Sequence, residues 1–352
     1  MKRYIVKIED SDTRERLSDH FEKVGKGKQL TNKVIVETDQ EDALDTIKRT
    51  PGVIWVYEDD YFVPEGDIIT HHHTESWFVN RISDEDDVLL TRSYGEHADI
   101  YVLDTGMRLD HIEYQGRAQT LFSHDHNDFT TSGSAPAHGA QVASCAAGST
   151  CGVARKAQIY NLRFDMSYSE AVKAADEILD HHRQKDAKRV SIFNMSFGGS
   201  HPMIREEIED LTRAGVICIA AAGNEAEKRA MYPARERKVL SIGASNRRDR
   251  ISSFSNYGRQ IDLFAPGSNG IMAGVEDPHQ YLRASGTSFA APIVAGVIAT
   301  ITEPGSVHDE RDVKAVFRHI KKHSFQGELT KARGQSGSPN KIINALTPIW
   351  AG

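Results

Sequence analysis

The stretch VSIFNMSFGGSHPMIREEIEDLTRAGVICIAAAGN, residues 190–224, decides the architecture. Val190 to Met195 is an apolar run of the kind that forms a strand buried on both faces. Ile204, Ile208 and Leu211 then recur at helical spacing on one face, and Gly215 closes that helix. Val216 to Ala221 is a second buried-type strand. Strand, helix and strand in so short a space make a parallel unit with a right-handed crossover. Outward, the rhythm repeats. Ala98 to Leu103, Gln158 to Leu162 and Val239 to Ile242 read as further strands, and Val172, Ala175, Ile178 and Leu179 mark another helix face. The expectation is an α/β domain, a parallel sheet with helices on both faces, whose site lies beyond the carboxyl ends of the strands.

Residues 1–63 carry a different pattern. Tyr4 to Glu9 alternates like a strand, and Ser11 or Asp12 can cap a helix running towards Val24. Lys28 to Leu30 and Lys33 to Glu37 flank Thr31-Asn32 as a hairpin. A helix from Gln40 to Lys48 ends before Pro51-Gly52, and Val53 to Tyr57 is a last strand. This order suggests a small ferredoxin-like α+β domain. Residues 64–75 have no periodicity and read as a linker, with the large domain spanning 76–352. His71, His72 and His73 are adjacent, and adjacent side chains do not converge easily on one ion, so they read as solvated linker.

With 39% hydrophobic and 26% charged residues, 352 residues can bury a full core. A net charge of −7 argues against nucleic acid as a partner. No apolar run approaches the roughly 18 residues needed to span a bilayer, so no membrane partner is expected. The N-terminal Tyr4 to Ile8 run is too short for a signal-peptide core, and three cysteines without a Cys-x-x-Cys pair suit a reducing compartment. The expectation is a cytoplasmic protein, or a secreted one if an upstream signal was removed. All three cysteines read as small buried hydrophobes.

Chemistry-bearing residues gather at the strand ends. Asp104-Thr105-Gly106 follows the strand ending at Leu103; alone it reads as a turn, and it also matches the aspartic-protease tripeptide. His138-Gly139 opens a helix rich in small residues, which lets it approach the sheet closely. Asn224 follows a strand and Gly223, where its amide can donate to a developing oxyanion. Gly286-Thr287-Ser288-Phe289-Ala290-Ala291-Pro292 opens an apolar helix with a serine at its start, where the backbone N–H can face an anion. His124-Asp125-His126-Asn127-Asp128 has metal-like composition but reads as a polar loop.

Taken together, these segments resemble the subtilisin-like serine proteases, most closely the proteinase K branch. Tyr114-Gln115-Gly116-Arg117-Ala118, Gly152-Val153-Ala154, Asn194-Met195-Ser196-Phe197-Gly198-Gly199, Ser252 to Gly258 and Asp262 to Gly267 extend the likeness over residues 76–346. The resemblance implies a serine endopeptidase with Asp104, His138 and Ser288 as catalytic residues and Asn224 as an oxyanion donor. It implies substrate contacts from Ser196, Phe197, Gly198, Ala221, Ala222 and Gly223. Residues 1–63 resemble an inhibitory propeptide, an intramolecular partner removed by self-cleavage between Gly66 and Glu75. The expected partners are polypeptide substrates, and the expected state is a monomer. No cofactor is needed for chemistry. A structural calcium is implied at Asp262 with the carbonyls of Arg237 and Val239, although Arg237 stands where the family commonly has Pro. Ala140-Gln141 and Phe289 replace the family's Thr-His and Met. The segment from Arg163 to Ser169 is shorter than in relatives and leaves that side of the groove more open. Two other readings stand beside this one. One is a self-cleaved protein that keeps its propeptide and acts by binding. The other is a homodimeric aspartic protease built on the single Asp-Thr-Gly.

Overall fold

The computed structural model describes residues 2–21, 23–25, 33–40, 42–58, 63–64, 67–70, 77–82, 93–129, 137–330, 335 and 337–345. The N-terminal unit runs β1 (Lys2–Ile8), α1 (Ser11–Ser18), β2 (Lys23–Gly25), β3 (Lys33–Thr38), α2 (Ala43–Arg49) and β4 (Val53–Glu58). Its strands lie in the order β2-β3-β1-β4, all antiparallel, which is the ferredoxin-like arrangement the sequence suggested. Two details differ. The N-cap of α1 is Asp10, whose side chain accepts from Thr13 N, not Ser11 or Asp12. The helix stops at Ser18, because Val24 joins strand β2 opposite Val36. The expected Lys28–Leu30 strand and Thr31-Asn32 turn lie outside the described residues.

Strand periodicity gives β1 two jobs. Tyr4, Val6 and Ile8 pack with Leu17, Val34, Val36 and Ile47 in the unit's own core. Ile5, on the other face, is buried with Met203, Ile204 and Ile208 of the large domain. Lys7 points the same way and donates to Glu206 at 2.5 Å. Lys33, its register partner on β3, pairs with Glu207. The Lys33 and Glu207 side chains are 2% and 1% exposed, so this ion pair is shut inside the contact between the two units.

Two short strands follow, β5 (Val63–Pro64) and β6 (Asp67–Thr70), then α3 (Trp77–Ile82). Trp77, Phe78, Val79 and Ile82 already belong to the core of the large domain. That domain continues with β7 (Ala98–Asp104), β8 (Ala118–Ser123), α4 (His138–Ala147), β9 (Gln158–Arg163), α5 (Tyr168–Gln184), β10 (Val190–Met195), β11 (Phe197–Gly198), α6 (Arg205–Arg213), β12 (Ile217–Ala221) and β13 (Val239–Ser245). It ends with β14 (Leu263–Pro266), β15 (Gly270–Ala273), β16 (Tyr281–Ser285), α7 (Thr287–Ile301), α8 (Glu310–His323), β17 (Phe325–Gln326) and β18 (Lys341–Ile342).

The nine-stranded sheet has the order β17-β18-β14-β13-β12-β10-β7-β9-β8 and is parallel except at the β17–β18 edge. Alternate residues of each strand feed opposite faces. Ile100, Val102, Ile192 and Ile219 meet α4 and α7, whereas Tyr101, Leu103, Phe193 and Cys218 meet α5 and α6. Every residue of α7 is buried, which suits its unbroken apolar sequence. Among the described residues no helix is long and apolar enough to cross a membrane.

Candidate active site

Strand β7 ends at Asp104, and the chain turns at Gly106, whose φ of +97° suits glycine. Helix α4 begins at His138 directly over that turn. A side chain at Gly139 would place its Cβ 2.4 Å from Gly106 O, so only glycine lets the helix descend this far. Thr105 Oγ1 fixes the approach by accepting from Gly139 N at 3.0 Å. The result is a buried pair. Asp104 Oδ1 lies 2.8 Å from His138 Nδ1 and accepts from Thr105 N at 2.7 Å. Both side chains are 1% exposed. An Nδ1–H given to the carboxylate leaves Nε2 as the basic nitrogen of a neutral imidazole.

Helix α7 brings Ser288 to the same place, and the Phe289 ring packs 5.6 Å from the His138 ring. Pro292 has no N–H to offer the carbonyl four residues earlier, which is that of Ser288. Ser196 fills that gap: its hydroxyl donates to Ser288 O at 2.7 Å and accepts from Asn194 Nδ2 at 2.9 Å. The Ser288 hydroxyl in turn reaches Ser196 O at 3.2 Å. The strand turning into β11 and the start of α7 are thereby joined at two points.

Beyond β12, Gly223 takes a φ of +107° and turns Asn224 towards α7. Asn224 Oδ1 accepts from both the N–H and the hydroxyl of Thr287, each at 2.9 Å. With the carbonyl oxygen so committed, Nδ2 is the donor left for a ligand. Asn256 braces this loop. Its Oδ1 accepts from Glu225 N and Glu227 N, and its Nδ2 donates to Ala222 O and Glu225 Oε2. That role is absent from the sequence reading, where Asn256 stood only within a quoted motif. Phe197, Gly198, Ala221, Ala222 and Gly223 are buried around the same point. Beside them Gly199 and Tyr232 exchange backbone hydrogen bonds, and a cavity of about 130 Å³ opens onto Ser200, Glu225, Met231 and Arg235.

The strands β5 and β6 flank this center. Val63 and Pro64 pair antiparallel with Gly198 and Phe197. Asp67 to Thr70 pair antiparallel with Ser285 to Leu282. Ser288 is fully buried.

The remaining sequence candidates stand apart. Asp262 and Val239 sit at the amino ends of β14 and β13, away from the strand ends that carry Asp104 and Asn224. Asp262 Oδ2 accepts from Ser241 N, and Oδ1 accepts from Lys321 Nζ at 3.0 Å. An ammonium group thus already sits on the carboxylate expected to hold calcium, and the donor set as arranged does not fit a divalent ion. In the 124–128 loop Asp125 pairs with Arg163. Burial alone would raise the Asp125 carboxyl, but hydrogen bonds from Asn127, with His124 and Arg163 nearby, hold it at about 2. Among the described residues no cluster of three or more His, Cys, Asp or Glu is placed to hold a metal. The three cysteines are buried and unpaired, as expected, and burial pushes their thiols up.

A parallel sheet with an Asp–His pair at one strand end and a serine opening a neighboring helix defines a class, the α/β serine proteases. Comparison with known proteins narrows the class to a family. The Subtilase family profile matches residues 95–338, and the chain belongs to that family of serine proteases. It is 28% identical over 343 residues to Proteinase R of Parengyodontium album, covering 93% of this chain and 85% of that protein. It is 31% identical to a cuticle-degrading protease of Metarhizium anisopliae, covering 86% of this chain and 77% of that one. A cold-adapted subtilisin-like serine proteinase of known structure superposes with a TM-score of 0.65 at 27% identity, over 78% of this chain and 99% of that one.

Proposed function

We propose that the protein is a serine endopeptidase made as a self-inhibited precursor, with Asp104, His138 and Ser288 as its catalytic residues. The observation that carries this reading is the pairing of the chain's own residues 63–64 and 67–70 with strands on either side of Ser288. Both pairings are antiparallel, the geometry in which an extended peptide adds to a strand edge.

In this mechanism His138 Nε2 takes the Ser288 proton as Oγ attacks the peptide carbonyl, and later returns it to the leaving amine. Asp104 holds the imidazole in the productive tautomer and stabilizes the imidazolium. Asn224 Nδ2 and the Ser288 N–H receive the oxyanion; the latter belongs to the first turn of α7, where helix geometry supplies no intrahelical acceptor. Ser196, Phe197 and Gly198 pair with substrate backbone, and Ala221, Ala222 and Gly223 shape the adjoining pocket. Residues 1–63 act as inhibitor, anchored by Ile5, Lys7 and Lys33. The bond cut then lies between Pro64 and Asp67, at or before the start of the 66–75 stretch inferred from resemblance.

The test compares intact masses of the purified wild type and a Ser288→Ala variant. The expected result is a wild type split between Pro64 and Asp67 and a variant that stays whole. Two whole proteins would sink the protease reading, and identical cutting of both would trace the cut to another enzyme.

A further inference from the structure

A cavity of about 580 Å³, within the size range of small-molecule sites, lies between α6 and the segment that leads into β13. Its polar lining is Arg205 and Glu209 from the helix, with Arg235, Glu236, Arg237 and Lys238 from the segment. Four cations and two carboxylates thus face one space, against the sign of a chain whose net charge is −7.

Some of these charges are already spent. Glu236 is 10% exposed and takes Arg205 Nε on both its oxygens, at 3.0 and 2.9 Å. That clamp uses one edge of the guanidinium and leaves its terminal amino groups open. Lys238 donates to Glu310 at 3.1 Å. The rest are not spent. Arg235 lies over the Tyr232 ring at 4.9 Å and meets no carboxylate among the described residues. Arg237 is exposed and makes neither hydrogen bond nor ion pair among them. Glu209, four residues along α6 from Arg205, is the one carboxylate left to oppose three guanidinium groups.

We infer that this cavity binds a small phosphate-bearing anion. A carboxylate brings two coplanar oxygens and one charge, and a single guanidinium fork satisfies it. A phosphate brings at least three oxygens in a tetrahedral arrangement and nearly two charges, which suits forks arriving from two separate elements. The bound anion ties α6 to residues 235–238. Arg235 also lines the cavity of about 130 Å³ beside Gly199 and Met231, so the two cavities share one side chain.

The experiment titrates the full chain carrying Ser288→Ala, which cannot process itself on the reading above, with sodium pyrophosphate and with inorganic phosphate. Calorimetry in metal-free buffer at constant ionic strength reads the binding, so that screening is held fixed. One site is expected. Arg235→Ala and Arg237→Ala should each weaken it roughly tenfold or more, the scale of a hydrogen bond to a charged group. Arg237→Lys keeps the charge without the fork and should fall between. Arg213→Ala removes the same charge from the same helix, but Arg213 pairs with Asp210 and lies outside the cavity, so it should change nothing. Saturating ligand should raise the melting temperature of the parent and not that of Arg237→Ala. Tighter binding of pyrophosphate upholds the site and identifies a polyphosphate ligand; equal binding upholds it and identifies a single phosphate. Absence of binding by either anion, or equal weakening by Arg213→Ala and Arg237→Ala, overturns the inference and leaves the protease reading where it stands.

Discussion

Removing Lys33 tests what holds the N-terminal unit on the large domain. Lys33→Ala leaves Glu207 in a contact where its side chain is 1% exposed and its Oε2 already lacks a hydrogen-bond partner. Lys7 and Glu206 stand nearby and stay paired with each other. Breaking one side of a buried ion pair ordinarily costs about 3–5 kcal/mol. Here a second route sets a ceiling, because Glu207 can take up a proton. Against an ordinary glutamate value of 4.5, protonation at pH 7 costs about 3.4 kcal/mol, from roughly 2.5 units at about 1.36 kcal/mol each. The smaller cost governs, so the N-terminal unit should bind about 300-fold more weakly at pH 7 and only about threefold more weakly at pH 5. The sign follows from the same group. Burial already raises the Glu207 carboxyl in the assembled protein, with Lys33 pulling the other way. Its contribution to docking is therefore greatest at low pH and is lost as pH rises through the raised value. The assay is recovery of activity on a fluorescent protein substrate when the processed complex is diluted, at both pH values. A Lys33→Met/Glu207→Leu pair, which removes both charges, should release its N-terminal unit much as the wild type does. Equal release by Lys33→Ala and wild type at pH 7, or a penalty that ignores pH, would refute this reasoning.

Asn224→Ala removes the proposed oxyanion donor and the acceptor for Thr287; turnover should fall roughly 10²–10³-fold with KM little changed. That scale is the one a single such donor has in subtilisin, and steady-state kinetics reads it. Lys321→Ala uncovers Asp262; the pair is partly exposed, at 36% and 27%, so the loss of stability should be about 0–1 kcal/mol. Thermal melts should then show calcium stabilizing the variant and leaving the wild type unchanged, and a wild type that melts earlier after chelation contradicts the assignment.

Much of this was legible in the sequence because it rests on local pattern. Val190 to Met195 and Val216 to Ala221 read as buried strands since a sheet covered on both faces demands continuous apolar runs. Asp104, His138, Asn224 and Ser288 could be singled out as candidates because each sits where a strand ends or a helix begins. Less local features escaped. Strand β8 (AQTLFS) is half-buried at the sheet edge and carries no clean apolar run. Lys321 on Asp262 and Arg163 on Asp125 join residues 59 and 38 positions apart, and nothing in either carboxylate's own neighborhood announces the cation that answers it. The Lys33–Glu207 pair spans 174 positions and two separate units. The pairing of residues 63–64 and 67–70 was hidden for another reason: a segment that binds through its backbone needs no side-chain pattern.

Proline at position 292 has a consequence for how this enzyme can change. A residue with an N–H there would offer the Ser288 carbonyl a partner within its own helix, in competition with the Ser196 hydroxyl. By withholding that donor, Pro292 makes the residue proposed as nucleophile depend on the strand proposed to meet the substrate. Recognition and attack thus share one hinge pin. On the proposed mechanism, any drift of residues 196–198 towards a new preference drags Ser288 along, and selection must adjust the two together.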